Sequence, residues 1–218
     1  MIDWRPTGSV AAAVQRNQLL QSARDYFAAQ NVLAVDTPAL GSATVTEPNI
    51  ESISAGDAGF LQTSPEYYMK RLLAAGFPDI YSICRVFRDG ESGRRHLPEF
   101  TLIEWYRLGF DLADIIADTC SLISCALQRP ALSTNPHIIS YHDAFRMHAG
   151  LDPATCTIDE LAVASNADQR LRASLGEHRD AWLDLVLTLQ VIHRFADGAG
   201  ERLCRARRRP RANRAHGQ

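Results

Sequence analysis

The stretch FRDGESGRRHLPEFTLIEWYR, residues 87–107, decides how this 218-residue chain is read. It joins two runs, DIYSICRVFR (79–88) and PEFTLIEWYRLGF (98–110), in which apolar residues alternate with polar ones. Alternation over this length predicts half-buried strands. The loop between them is too long for a two-residue turn, and neighbouring runs of this kind favour an antiparallel hairpin. On the returning strand the two-residue period puts Glu99, Thr101, Ile103 and Trp105 on one face. Phe100, Leu102, Glu104 and Tyr106 take the other. An acid and an aromatic recur on each face, so the hairpin can border a polar cleft. Arg88 stands where the first strand opens into the loop, and Arg94, Arg95 and His96 follow within it. A guanidinium at a rigid strand end can grip a phosphate through two parallel hydrogen bonds. By composition alone, a charged, solvated hairpin tip with its glutamates paired to arginines is the commoner case.

Outward from the hairpin, the pattern is helix and strand without β-α-β alternation. Residues 16–29 place Leu19, Leu20, Ala23, Tyr26 and Phe27 at helical spacing. NVLAVDTPAL (31–40) reads as a strand that Pro38 ends or leaves at an edge. TSPEYYMKRLLAAG (63–76) carries helix signals: Ser64 as cap, Pro65 in the first turn, Glu66 at the positive end and Gly76 at the close. Residues 111–128 predict a helix capped by Asp111, residues 140–150 and 157–164 two shorter ones, and residues 178–192 a long one. There is no internal repeat. The expected class is α+β, with an antiparallel sheet flanked by helices.

Composition narrows the function classes. Apolar residues make up 46% of the chain, in keeping with a globular protein. No run approaches the ~18 apolar residues of a membrane span, and the apolar run at 10–14 is too short for a signal peptide. No membrane partner is expected, and the cytoplasm is the expected compartment. Cys84, Cys120, Cys125, Cys156 and Cys204 are scattered, without a metal-binding or disulfide pattern, so no metal site is assigned to them. A P-loop and a G-x-G-x-x-G fingerprint are both missing, so a nucleotide would have to be held in another way.

The ordered set VDTP (35–38), TSPEYYMKRLL (63–73) and CRVFRDGESGRRHLPEFTLIEWYR (84–107) resembles the catalytic core of a class II aminoacyl-tRNA synthetase of the lysyl type. The segment around Pro38 resembles motif 1, the dimer-forming segment, and the hairpin resembles motif 2, which binds ATP. EWYR and the start of motif 1 close to the N-terminus are similar to the elongation factor P–(R)-β-lysine ligases, paralogues of lysyl-tRNA synthetase without an anticodon-binding domain. The resemblance runs over about residues 16–191.

It implies an ATP-dependent ligase that uses Mg²⁺, activates (R)-β-lysine or lysine as an adenylate, and passes it to a lysine of elongation factor P, with no tRNA. It implies a homodimer formed through the region around Pro38. A carboxylate is already a nucleophile at neutral pH, so such activation needs no general base. Catalysis then rests on positioning and on neutralising phosphate charge. Arg88 would hold the α-phosphate, with Asp89, Gly90 and Glu91 against ATP, and Arg94, Arg95 and His96 reaching the outer phosphates. Ser64, Pro65 and Glu66 match the substrate anchor, and Tyr106 the substrate-side aromatic.

Two positions depart from the family. Gly90 stands where a Glu commonly reads adenine, so either Glu91 takes that role through a shifted loop or backbone carbonyls do. Leu97 replaces an Asn on the nucleotide side. Lysyl-tRNA synthetase activity is an alternative that needs an anticodon-binding domain, and a catalytically inactive dimerisation module is another.

The expected organisation is a core over residues 1–191, lacking motif 3 and so incomplete at its C-terminal end, and a basic tail over 192–218 that packs poorly. Seven arginines fall between 202 and 214, and Glu201 is the one acid in the last twenty residues. That gives the last twenty residues +6 and leaves −8 on residues 1–198. The tail reads as translation out of frame, a decayed gene end or a genuine basic arm.

Overall fold

The structure is a computed structural model and describes residues 5–47, 50–93, 96–129, 138–192 and 194. It divides into two compact units, Met1–Pro136 and His137–Gln218. The tail expected over 192–218 lies outside the described residues, apart from Ile192 and Arg194.

The first unit is built on the hairpin. Strands β4 (Ile80–Phe87) and β5 (Glu99–Tyr106) pair antiparallel over eight positions, from Ile80 opposite Tyr106 to Phe87 opposite Glu99. The short β1 (Leu33–Ala34) lies parallel to β4, with Leu33 beside Ile80. The three-stranded sheet is therefore mixed, in the order β1-β4-β5, rather than wholly antiparallel. The run 31–40 does not form one strand. β1 ends before Pro38, and β2 (Leu40–Gly41) begins after it and pairs antiparallel with β3 (Phe60–Leu61). Proline has no N–H to give a ladder, which breaks the run there.

Helix α1 (Val10–Ala29) starts six residues before the periodic segment. Ser9 caps it by accepting from the Ala12 N–H, and the alanine-rich first turns follow from high intrinsic propensity rather than from a buried face. Only Ala23 and Phe27 of α1 are buried. α3 (Leu112–Ala126) opens on the expected Asp111, whose carboxylate accepts from the Asp114 N–H while Asp114 returns the bond. Between α1, α3 and the sheet lies a core of Ala23, Phe27, Val32, Tyr81 and Leu122, flanked by Ile83, Ile103 and Trp105. Phe27 stacks on Tyr81 with ring centroids 4.3 Å apart.

The face of β5 that carries Ile103 and Trp105 is thus committed to the helices. Asp118 of α3 is buried beneath it, accepting from Trp105 Nε1 at 3.0 Å and from the Tyr26 hydroxyl. Arg107, also buried, lies 3.5 Å from both Asp118 and Asp79. The opposite face, with Phe100, Leu102, Glu104 and Tyr106, is left for the site.

The second unit is helical: α4 (Tyr141–Ala149), α5 (Ile158–Ala164), α6 (Gln169–Leu175) and α7 (Arg179–Val186), the last running into a π-helical turn at Leu187–Ile192. Thr157 and Glu160 cap α5 reciprocally. Phe145, Leu161, Trp182, Val186 and Val191 form its core. α6 is short, buries no residue of its own and carries no strong period, so the sequence pattern does not announce it.

Candidate functional site

The site is assembled from three pieces of the first unit: the cleft face of β4–β5, the segment 62–66, and the start of α2 (Glu66–Ala74). The segment is held against β4 by backbone and side chain together. Phe87 N–H donates to the Gln62 carbonyl at 2.8 Å, and Gln62 Nε2 donates to the Arg85 carbonyl at 2.8 Å. The Gln62 N–H donates in turn to Ala39, which ties the segment to the stretch after Pro38. This brings Thr63 and Ser64 alongside the hairpin.

Ser64 does not cap α2 in the simple manner expected, since Pro65 occupies the cap position. Its oxygen instead accepts from the Glu66 N–H at 3.1 Å and donates to Glu104 Oε2 at 2.7 Å. Tyr106 donates its hydroxyl to the other oxygen, Glu104 Oε1, at 2.7 Å. The Glu104 carboxylate is therefore fixed by two neutral hydroxyls, one on each oxygen. Burial first, then the bond to Glu104 and that residue's charge, push the Tyr106 phenol far above its ordinary value, so it stays a donor. Among the described residues no Lys, Arg or His pairs with Glu104 within 4.0 Å. Glu66 is tied to the same group through its N–H, which donates to Ser64, its charge reaches Tyr106, and Lys70 pairs with it.

At the other end of the face, Arg88 leaves β4 with its guanidinium over the Phe100 ring, 5.1 Å from the centroid. Its Nε donates to the Thr63 carbonyl at 3.4 Å, and Nη1 lies 3.5 Å from Glu91. Phe100 and Glu104 are four residues apart on one strand, about 13 Å at the usual rise. A guanidinium that suits a phosphate and a carboxylate that suits an ammonium thus stand at opposite ends of one strand face. Cys84 lies between them on β4, and burial, with a smaller contribution from Glu104, raises its thiol pKa, which works against a thiolate role.

Ser64 and Tyr106 meet at Glu104, Pro65 (fully buried) and Glu66 follow Ser64 in the chain, and Arg88 stands at the other end of the same strand face. The Asp89 N–H bridges to the Glu51 carbonyl, and the Asp89 side chain accepts from the Gly90 N–H. Gly90 has φ +71°, a conformation that disfavours a side chain, and it returns Glu91 towards Arg88. His96 and Leu97 are exposed on the hairpin tip. Arg94 and Arg95 lie outside the described residues. Glu104 was legible only as a member of the Tyr106 face, and its central position is a finding of the structure. Lys70 and the Thr63 carbonyl carried no signal in the sequence. Among the described residues no group of three or more His, Cys, Asp or Glu side chains could hold a metal ion. No described helix is long and apolar enough to cross a membrane.

Residues 1–178 match the family of tRNA synthetases class II (D, K and N). The elongation factor P–(R)-β-lysine ligase of Photobacterium profundum is 39% identical over 202 residues, covering 88% of this chain and 61% of that protein. Those of Pseudoalteromonas translucida and Edwardsiella ictaluri are each 37% identical, covering 86% and 88% of this chain and 60% and 61% of theirs. The chain thus spans about three fifths of the length of these relatives. Among solved structures, asparaginyl-tRNA synthetase from Pyrococcus horikoshii, complexed with asparaginyl-adenylate, superposes with a TM-score of 0.57 at 21% identity. The match covers 71% of this chain and 42% of that one, and it shows a shared fold.

Proposed function

The chain belongs to the family of class II tRNA synthetases (D, K and N), and from that premise we propose that it serves an ATP-dependent ligase that activates (R)-β-lysine as an adenylate and transfers it to a lysine of elongation factor P. The observation that carries this reading is Glu104, oriented by Ser64 and Tyr106 and without a paired cation among the described residues, on the strand face that ends at Arg88. An amino acid bound with its ammonium at Glu104 would point its carboxylate towards the guanidinium end. The carboxylate would attack the α-phosphorus of ATP in line as pyrophosphate leaves, and Arg88 would neutralise the charge that gathers on the phosphate. In the second step the amine of the acceptor lysine attacks the acyl carbon, AMP leaves, and the amine gives up a proton as the amide forms.

Two acids, Glu66 and Glu104, near one phenol favour a diamino acid over a neutral side chain. The names of the relatives support (R)-β-lysine and elongation factor P as the two substrates. With no three-ligand cluster among the described residues, Mg²⁺ would be held chiefly by the phosphates of ATP and by water, as is usual for this ion. The homodimer belongs to the same reading. Leu33 and Leu40 flank Pro38 and are exposed, which suits a surface covered by a second copy. A tRNA is not among the proposed substrates, and the proposed compartment is the cytoplasm.

The test is amino-acid-dependent exchange of pyrophosphate into ATP, run with (R)-β-lysine and with L-lysine. In a version extended to the relatives' full length, exchange is expected, and it is expected to fall by about 10²–10³ in rate in Arg88→Ala, the cost of removing one preorganised charge stabiliser. Exchange unchanged in Arg88→Ala would remove Arg88 from the reaction.

A further inference from the structure

Helix α2 brings a cation of the chain's own onto one of the two carboxylates near Tyr106. Glu66 opens the helix and Lys70 follows one turn later, so the two side chains stack on one face. Lys70 Nζ lies 2.5 Å from Glu66 Oε1. The negative charge of Glu104 also acts on Lys70. The cleft therefore presents two carboxylates in different conditions. Glu104 is bound by neutral hydroxyls and, among the described residues, has no Lys, Arg or His within 4.0 Å, whereas Glu66 is already paired directly.

We propose that Lys70 is a specificity-determining residue: it competes with a ligand's second ammonium for Glu66, and so sets how strongly the cleft favours an amino acid with two ammonium groups over one with a single group. This inference rests on the reading of Glu104 and Glu66 as ammonium sites. A ligand with one ammonium takes Glu104 and leaves the Glu66–Lys70 pair intact. A ligand with two must also draw Glu66 from Lys70 or share it. The pair is open to solvent, with side-chain exposures of 57% for Lys70 and 42% for Glu66, so water readily takes up the displaced lysine. Lys70 thus tunes the preference and does not block the site. An ordinary surface pair, with Glu placed favourably N-terminal to Lys, would support the helix slightly and leave selectivity untouched.

Calorimetric titration separates these cases. The probes are L-lysine and (R)-β-lysine, which carry two ammonium groups, and norleucine and 6-aminohexanoate, which carry one. The proteins are the wild-type chain, Lys70→Met, Lys70→Gln and Lys70→Arg. Met and Gln match Lys closely in helix propensity, so both neutral variants are expected to fold, as circular dichroism will show. The neutral variants should bind both lysine isomers roughly three- to five-fold more tightly, with shifts below about 1.5-fold for the single-ammonium ligands. Lys70→Arg should keep the wild-type pattern. Lysine binding that does not change in the neutral variants, or an equal gain for both classes of ligand, overturns the inference and leaves the functional reading in place. Failure of the wild-type chain to bind either lysine isomer removes the functional reading, and the inference with it.

Discussion

Glu104 projects from one face of β5 and Asp118 of α3 packs under the other, and each is oriented by a tyrosine. Tyr106 donates to Glu104 in the cleft, and Tyr26 donates to Asp118 beneath the helices. Both phenols are held far above their ordinary value, first by burial and then by the carboxylate that each one faces. This has a consequence for stability. In the unfolded chain both phenols ionise near pH 10, while in the folded chain they stay protonated. Their contribution is therefore fully present below pH 10 and is lost progressively above it, because only the unfolded state releases the protons there. Urea midpoints should fall as pH rises from 9 to 11. The fall should be shallower in Tyr106→Phe, which has no proton to lose at that position. A variant with the same alkaline slope as the wild-type chain would mean that Tyr106 ionises in the folded state. Glu104 itself was only half legible in the sequence. The two-residue period assigned its face, but no local pattern says that a serine forty residues earlier in the chain will hold it.

At the scale of elements, what the sequence made plain was what local chemistry controls. The hairpin followed from alternation and α3 from its aspartate cap, while the Thr–Glu box that opens α5 is a finding of the structure. Elements set by tertiary contact were harder to read, among them the parallel docking of β1 and the small β2–β3 ladder that carries the segment 62–64 into the cleft. Gly59 shows how tightly that ladder is made. It has φ +115°, and a Cβ placed on it would lie 2.2 Å from the Gly41 carbonyl oxygen. Backbone on one side and a left-handed conformation on the other leave no way to relax. Gly59→Ala is expected to cost roughly 2–4 kcal/mol through strain and overpacking. Because β3 leads into Gln62 and Ser64, the same variant should also weaken binding of lysine. Wild-type urea stability in this variant would show that the ladder can open without consequence.

At the scale of the molecule, each unit buries its own core, and only the first carries the candidate site. Phe27, Tyr81 and Leu122 centre one core, and Phe145, Leu161 and Trp182 the other. Residues 1–191 read as one core in the sequence because helical periodicity over 140–192 marks which faces are buried but not which core they join. Trp182 allows the two cores to be tested apart. It is buried to 1% exposure, and its Nε1 donates to the Gly176 carbonyl at 2.9 Å. Trp182→Ala removes that packing and leaves the Gly176 carbonyl without its donor, at a cost of about 3–5 kcal/mol by analogy with other large-to-small changes. Cores that fold as separate cooperative units lose protection separately. Hydrogen exchange should therefore rise through α4, α5 and α7 in this variant, while the paired amides of β4 and β5 stay protected. Loss of protection along β4 and β5 as well would show that the hairpin holding Glu104 and Arg88 depends on the helical unit for its stability.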